Sequence, residues 1–384
     1  MKYFFILFVV RLISSVNRMI KKNSRYSDDV LFLSHNINIG DLLVCIGSLE
    51  KYRSMYPDLK FSLVCKPSVA QFAEETGLFP QIYIFKNNKQ FLLTAFRLKV
   101  KKLIIFPPNW LDDRKIEYMI SIIAADEKIS ARNGHNYYSI REKKRFDRHY
   151  TRIIDVSSES HFMVRCAEFF SAMTGEVFIP CMIDLRKKIE QGSDTNPYFV
   201  VNLGGSFAEK CWPIDRFSQV IEYICSVTCL KPVLVGSKQE DKLSSGFCEL
   251  YHGVIDNYCG KTTMHELINL IGNAAFYFGN DTGTSHIAAA CGVPGFSVTA
   301  MFVEPICMPY PDSYEGYMAA RPIIITSGED KKCKYCADVE KTEPCKKCLA
   351  EKKIFECIDD ISVDKAIQVI EGSGILDRFK RENT

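Results

Sequence analysis

Apolar residues are distributed along this chain in short unbroken runs and in longer stretches of helical spacing, and the two kinds alternate. Val30-Leu31-Phe32-Leu33 reads as a buried strand, and Leu42 to Tyr56 carries helical periodicity until Pro57 stops it. Phe61 to Cys65 is a second strand, so this stretch predicts one βαβ unit. Apolar strands at Ile82 to Phe85 and Leu103 to Phe106 continue the alternation. Lys187 to Pro197 is polar and collects Gly192, Ser193, Asp194, Asn196 and Pro197, the composition of a linker. The pattern then restarts. Tyr198 to Leu203 reads as a strand, Gly204-Gly205-Ser206 as a turn, Ile214 to Thr228 as a helix and Pro232 to Val235 as a strand. Phe276-Tyr277-Phe278 leads through a polar loop into a helix over Ile287 to Cys291. The expectation is an α/β chain with two Rossmann-like, doubly wound parallel sheets.

A length of 384 residues fits two domains rather than one core. Forty-nine basic and 46 acidic residues leave a net charge of only +3, which gives no field for bulk nucleic-acid binding; no nucleic-acid partner is expected. Most of the 16 cysteines sit singly in apolar runs, as Cys45, Cys225 and Cys291 do, and read as reduced core residues of a cytoplasmic protein. Near the start, Tyr3 to Val10 is apolar but too short for a bilayer span, which needs about 20 residues. Arg11, Ser14, Ser15, Arg18 and Lys22 lie at helical spacing opposite Leu7, Val10, Leu12, Ile13, Val16 and Ile20. Two readings of residues 1–24 follow: an amphipathic helix on a membrane surface, or a helix buried in the fold.

In open parallel sheets, ligands bind beyond the carboxyl ends of the strands. Three loops there carry polar residues: Gly40-Asp41, Gly204-Gly205-Ser206 with Lys210, and Asp281 to His286. Each alone could be a turn with a helix cap. Asp281-Thr282-Gly283-Thr284-Ser285-His286 holds a carboxylate, three hydroxyls and an imidazole, more than one cap requires, and so points to a phosphate-and-sugar site.

Four blocks in order carry a family resemblance: Asn38-Ile39-Gly40-Asp41; Lys210-Cys211-Trp212-Pro213 with Arg216-Phe217; Gly260-Lys261-Thr262; and Gly279-Asn280-Asp281-Thr282-Gly283 with His286-Ile287-Ala288-Ala289-Ala290 and Gly292-Val293-Pro294. Over roughly residues 30 to 370 the chain resembles glycosyltransferase family 9, the heptosyltransferase-like enzymes of lipopolysaccharide core assembly. The resemblance implies a GT-B architecture: an acceptor domain over 25–187, a nucleotide-sugar donor domain over 197–358, and a C-terminal helix within 359–384 that returns to the first domain. It implies an inverting transfer of a sugar, heptose favoured, from a nucleotide diphosphate such as ADP-heptose to a lipopolysaccharide or other cell-surface glycan acceptor. Asp41 is then the general base and Lys210 neutralises the leaving diphosphate, while Gly205, Ser206, Asp281, Thr282, Gly283 and His286 hold the donor. Glu240 is a candidate for the ribose, or simply starts a helix. Such catalysis requires no metal cofactor, and the chain lacks the Asp-x-Asp motif of the metal-dependent alternative fold.

Arg141, Lys144 and Arg145 belong to a basic run that would meet acidic groups of the acceptor, although charge runs are commonly solvated faces. Cys333-x-x-Cys336 and Cys345-x-x-Cys348 could place four thiolates around a structural zinc in an insert over 333–348, with Cys357 as a fifth candidate or a bystander. The expected location is the cytoplasm, at the inner face of the cytoplasmic membrane. Two other functions fit the same residues: a transferase of this fold for a different sugar, and a non-catalytic binding protein on a degenerate transferase scaffold.

Overall fold

The structure is a computed structural model. It describes residues 16–381 apart from 18, 23, 35–36, 106–116, 118–119, 133–143, 145, 158–160, 191–196, 206, 302–305, 317–319 and 329–353. The chain divides into two compact units, residues 1–181 and 182–384.

The first unit contains β1 (Asp28–Ser34), α1 (Ile39–Met55), β2 (Phe61–Cys65), α2 (Pro67–Thr76), β3 (Gln81–Ile84), α3 (Asn88–Arg97), β4 (Lys99–Ile105), β5 (Ala124–Arg132), β6 (Arg152–Asp155) and α4 (Phe162–Thr174). Its six strands are parallel and ordered β3-β2-β1-β4-β5-β6. The run Val30 to Leu33 is wholly buried because the central strand of such a sheet is covered on both faces. Gly47, inside α1, allows close packing: a Cβ there would lie 2.3 Å from the carbonyl oxygen of Cys181. Of the N-terminal segment, residues 16, 17 and 19–21 are helical. The buried Asn17 donates its amide to the Ile122 carbonyl at 2.9 Å, while Met19 and Ile20 are 77% and 72% exposed. Residues 1–15 lie outside the described residues.

The second unit contains β7 (Tyr198–Asn202), α5 (Ile214–Val227), β8 (Lys231–Leu234), α6 (Asp241–Leu250), β9 (Asp256–Asn257), α7 (Met264–Gly272), β10 (Tyr277–Asn280), α8 (Gly283–Ala290), β11 (Gly295–Val298), β12 (Ile323–Ile325), α9 (Glu356–Asp359) and α10 (Val363–Gly372). Its parallel strands run β12-β11-β10-β7-β8-β9, the same order as the first sheet when counted from β7. The apolar core under this sheet gathers Phe199, Phe217, Phe276 and Phe278 with the wholly buried Trp212.

Two boundaries differ from the sequence expectation. The second unit begins at Met182 rather than after the polar stretch at 187–197, because Ile183 and Leu185 point inward and the Leu185 N–H donates to the Ala290 carbonyl at 3.0 Å. Residues 359–384, expected to return to the first domain, belong to the second unit. There α10 packs on α5, and the Arg381 guanidinium donates to the carbonyls of Thr228 and Cys225 at 3.0 and 3.1 Å. The α10 periodicity was legible; the apolar surface it would cover was not.

Candidate active site

In both sheets the strand order reverses between the first strand and the fourth, β1 and β4 in one, β7 and β10 in the other. Connections leaving two such neighbours diverge to opposite sides of the sheet and open a crevice at the carboxyl ends, where ligands bind. The polar loops singled out from the sequence follow β1, β7 and β10.

α1 begins at Ile39, five positions after the end of β1 at Ser34. Asn38 is its N-cap, and Asp41 therefore stands in the first helical turn rather than in a preceding turn. The Asp41 carboxylate accepts the Asn38 N–H at 2.8 Å, so its capping role is real, and it is half-buried. Capping fixes the carboxylate near the strand end without removing its charge.

After β10, Thr282 caps α8, which begins at Gly283, four residues earlier than its apolar pattern indicates. Glycine and hydroxyl residues look like loop in a sequence, yet they suit a first helical turn because its N–H groups have no partner in the helix. Gly283 and His286 accordingly lie within α8. The Thr282 hydroxyl donates to Asn202 Oδ1 at 3.2 Å and lies 2.7 Å from the Thr284 hydroxyl. The Tyr277 hydroxyl, 3.0 Å from Thr284 Oγ1, donates to the Asn280 carbonyl.

Asn280 joins this strand end to the loop after β7. Its amide donates to the carbonyls of Leu203 and Gly204 at 2.7 and 3.2 Å, and its carbonyl oxygen accepts the Trp212 N–H at 3.0 Å. Trp212 in turn donates its indole N–H to the Ile361 carbonyl, and Arg216 donates to Asp359. The block around Lys210 is thus held from both sides.

Lys210 is brought to Asp281. Its ammonium donates to the Asp281 main-chain carbonyl at 2.8 Å and lies 3.9 Å from Oδ2, with both side chains largely buried. His286 Nε2 lies 3.7 Å from Asp281 Oδ1, and His286 Nδ1 lies 2.7 Å from the Tyr310 hydroxyl. Burial lowers the His286 pKa, and Lys210 adds to this against the opposing pull of Asp281. The imidazole is neutral at neutral pH. Lys210, Asp281 and neutral His286 together carry no net charge, and the N-terminus of α8 contributes a partial positive one, a setting suited to a phosphate-bearing ligand.

Glu240 lies at the neighbouring ends of β7 and β8. A Cβ on Gly204 would lie 1.4 Å from Glu240 Oε1, and one on Gly236 would lie 3.1 Å from Oε2. Glu240 also accepts the Ser237 N–H, so it starts a helix as well as facing the β7 and β8 ends. A Cβ on Gly205 would lie 3.4 Å from Lys210 Cε. The structure therefore gathers Gly205, Lys210, Glu240, Asp281, Thr282, Gly283 and His286 at one sheet edge, and Asp41 at the equivalent edge of the other sheet. Asn202, Tyr277, Asn280 and Tyr310 were not identified as site residues from the sequence. Asn280 adjoins Asp281 and was within reach of that reading, whereas Tyr310 arrives from a loop with no local signal.

Ser206, Arg141, Arg145 and the four cysteines at 333, 336, 345 and 348 lie outside the described residues. Lys144 is exposed, and Cys357 is buried in the apolar core of the second unit. Among the described residues, no helix is long and apolar enough to cross a membrane.

Residues 125–321, just over half of the chain, match the family described as glycosyltransferase family 9 (heptosyltransferase). The chain belongs to glycosyltransferase family 9. Lipopolysaccharide heptosyltransferase 3 of Escherichia coli K12 is 25% identical over 279 residues, 67% of this chain and 79% of that protein. The ADP-heptose lipopolysaccharide heptosyltransferase II of E. coli matches with a TM-score of 0.62 and 11% identity, covering 91% of this chain and 99% of that one. The E. coli heptosyltransferase WaaC solved with ADP gives 0.61 and 15%, covering 90% and 99%. These likenesses agree with the two parallel sheets in showing the GT-B fold, and family membership makes the chain a glycosyltransferase.

Removing the Asn280 side chain would strand the Trp212 N–H and two carbonyls in a dry site. Asn280→Ala is expected to destabilise the protein by about 2–4 kcal/mol, read from the denaturant midpoint and slope. A variant within about 0.5 kcal/mol of wild type would remove Asn280 as the joint.

Proposed function

We propose that this family 9 glycosyltransferase moves heptose from ADP-heptose to a lipopolysaccharide acceptor with inversion at the anomeric carbon. The observation that carries the reading is the meeting of Lys210, Asp281 and the α8 N-terminus at the β7–β10 reversal, in a chain whose relatives are heptosyltransferases.

An inverting transfer needs three things: a base for the acceptor proton, room for positive charge at the sugar, and a stabilised diphosphate. Asp41 takes the proton from the acceptor hydroxyl as its oxygen bonds to the anomeric carbon. The bond from that carbon to the diphosphate oxygen breaks, and its electron pair leaves with ADP. Lys210 and the N–H groups opening α8 neutralise the departing charge, which is the work a divalent metal does in other transferases, and no metal is assigned to the reaction. Asp281, Thr282, Gly283 and His286 contact the sugar and phosphates, with Gly205 and Ser206 giving backbone and hydroxyl donors. Glu240, facing Gly204 and Gly236, accepts from the ribose hydroxyls. Arg141, Lys144 and Arg145 meet acidic groups of the acceptor.

Two further assignments rest on sequence patterns. Residues 1–22 attach the enzyme to the inner face of the cytoplasmic membrane, a role supported by the exposed Met19 and Ile20. Cys333, Cys336, Cys345 and Cys348 hold a structural zinc, since four thiolates fill a tetrahedral site.

Thermal unfolding with ADP, UDP, GDP and CDP tests the donor. Only ADP is expected to stabilise, by about 2.7 kcal/mol at 100 times Kd. A shift with another nucleotide alone would favour a transferase of this fold for a different sugar. Asp41→Asn keeps an oxygen for the Asn38 N–H, so it should lower kcat about 100- to 10,000-fold while donor affinity stays within about threefold. Near-normal turnover would take the base role from Asp41. Deleting residues 1–22 should weaken binding to anionic liposomes, and the purified protein should hold one zinc; unchanged partitioning, or no zinc, would remove the respective assignment.

A further inference from the structure

His286 stands on the buried side of α8 between two groups. Its Nδ1 is 2.7 Å from the Tyr310 hydroxyl and its Nε2 is 3.7 Å from Asp281 Oδ1. Tyr310 comes from the segment between β11 and β12 and is almost fully buried. Its ring lies nearly parallel to the imidazole, with centroids 5.7 Å apart and planes inclined by 10°, and Tyr314 braces it at 5.1 Å.

A neutral imidazole carries one N–H, so two tautomers are open to His286. With the proton on Nδ1, the Nε2 lone pair would face the Asp281 carboxylate in a buried setting, an arrangement of like polarity. With the proton on Nε2, the positive end of the N–H faces that carboxylate and Nδ1 is left to accept a hydrogen bond. Tyr310 is the group placed to supply it. Burial raises the phenol pKa well above its ordinary value, so the hydroxyl keeps its proton. Lys210 beside Asp281 opposes a second proton on the ring.

We infer that Tyr310 is a positioning residue for transfer: its hydroxyl donates to His286 Nδ1 and fixes the Nε2–H tautomer beside Asp281. The Nε2–H is then a donor of fixed direction. It points toward the Asp281 carboxylate, 3.7 Å away, and is placed to donate to a sugar or phosphate oxygen of the nucleotide-sugar. The effect on turnover rests on the proposed donor role of Asp281 and His286, whereas the tautomer does not.

The test uses the full chain labelled with nitrogen-15 in its histidine rings, observed by long-range proton–nitrogen correlation at pH 7.5, with His286 assigned by His286→Gln. The expected spectrum has a protonated Nε2 and a lone-pair Nδ1. In Tyr310→Phe the two nitrogens should move toward the averaged values of mixed tautomers. That variant should also show kcat lowered about tenfold, with KM for ADP-heptose within about threefold. An Nδ1–H tautomer or an imidazolium in the unsubstituted protein overturns the inference without need of a variant. So does a His286 spectrum that Tyr310→Phe leaves unmoved, or an unchanged kcat in a variant whose ring is mixed. A fixed Nε2–H in a protein that binds no nucleotide would uphold the tautomer and sink the donor reading, so the two fail separately.

Discussion

The second unit depends on one buried amide. Asn280 ends β10 at the point where the sheet order reverses, and the connections that leave β7 and β10 in different directions there would leave main-chain groups of the β7 loop unpaired. Its side chain closes that gap by donating twice to the β7 loop and accepting once from Trp212. Trp212 fills the core below while its indole N–H reaches Ile361, so the same residue ties the loop to the chain's last elements. Lys210 and Asp281 each stand one or two residues from these anchors. Their 2.8 Å contact follows from backbone already fixed by Asn280, rather than from a search by two flexible side chains.

The charge arrangement follows from this rigidity. A buried lysine beside a buried aspartate is weak evidence for stability, since desolvating both charges offsets much of their attraction. Here the main-chain carbonyl of Asp281 takes the close hydrogen bond, and the two charges stay 3.9 Å apart. The ammonium is therefore held without being saturated by the carboxylate, and a phosphate ligand can compete for it. The neutral imidazole of His286 avoids a second positive charge while still offering a donor.

Much of this was legible in the sequence where one residue's own neighbours decide its state. The two βαβ patterns, the restart near 198 and the polar loops at the strand ends are local signals, and each appears in the structure. Helix starts were displaced because Gly40 and Gly283 read as turn residues, although both lie in first helical turns where capping by Asn38 and Thr282 outweighs their low propensity. The packing of α10 was not legible, since it depends on the face presented by α5, whose first residue Ile214 precedes Val363 by 149 positions. Tyr310 is the clearest omission: its function is defined only by the ring it meets, and nothing within its own segment specifies that partner.

The glycines show why the site tolerates little change around Glu240. Gly204 and Gly236 each lie two residues past the ends of the neighbouring strands β7 and β8, and the Glu240 carboxylate occupies the space that side chains at both positions would fill. The first of these contacts, 1.4 Å from an added Cβ, is incompatible with any larger residue unless the carboxylate moves. Glu240 is also fixed by the Ser237 N–H at the start of its helix, so moving it breaks a cap. Two constraints of different origin, one steric and one electrostatic, therefore place the same carboxylate at the sheet edge. A glycine that looks in the sequence like a turn residue is here the counter-shape of an acidic side chain 36 positions away.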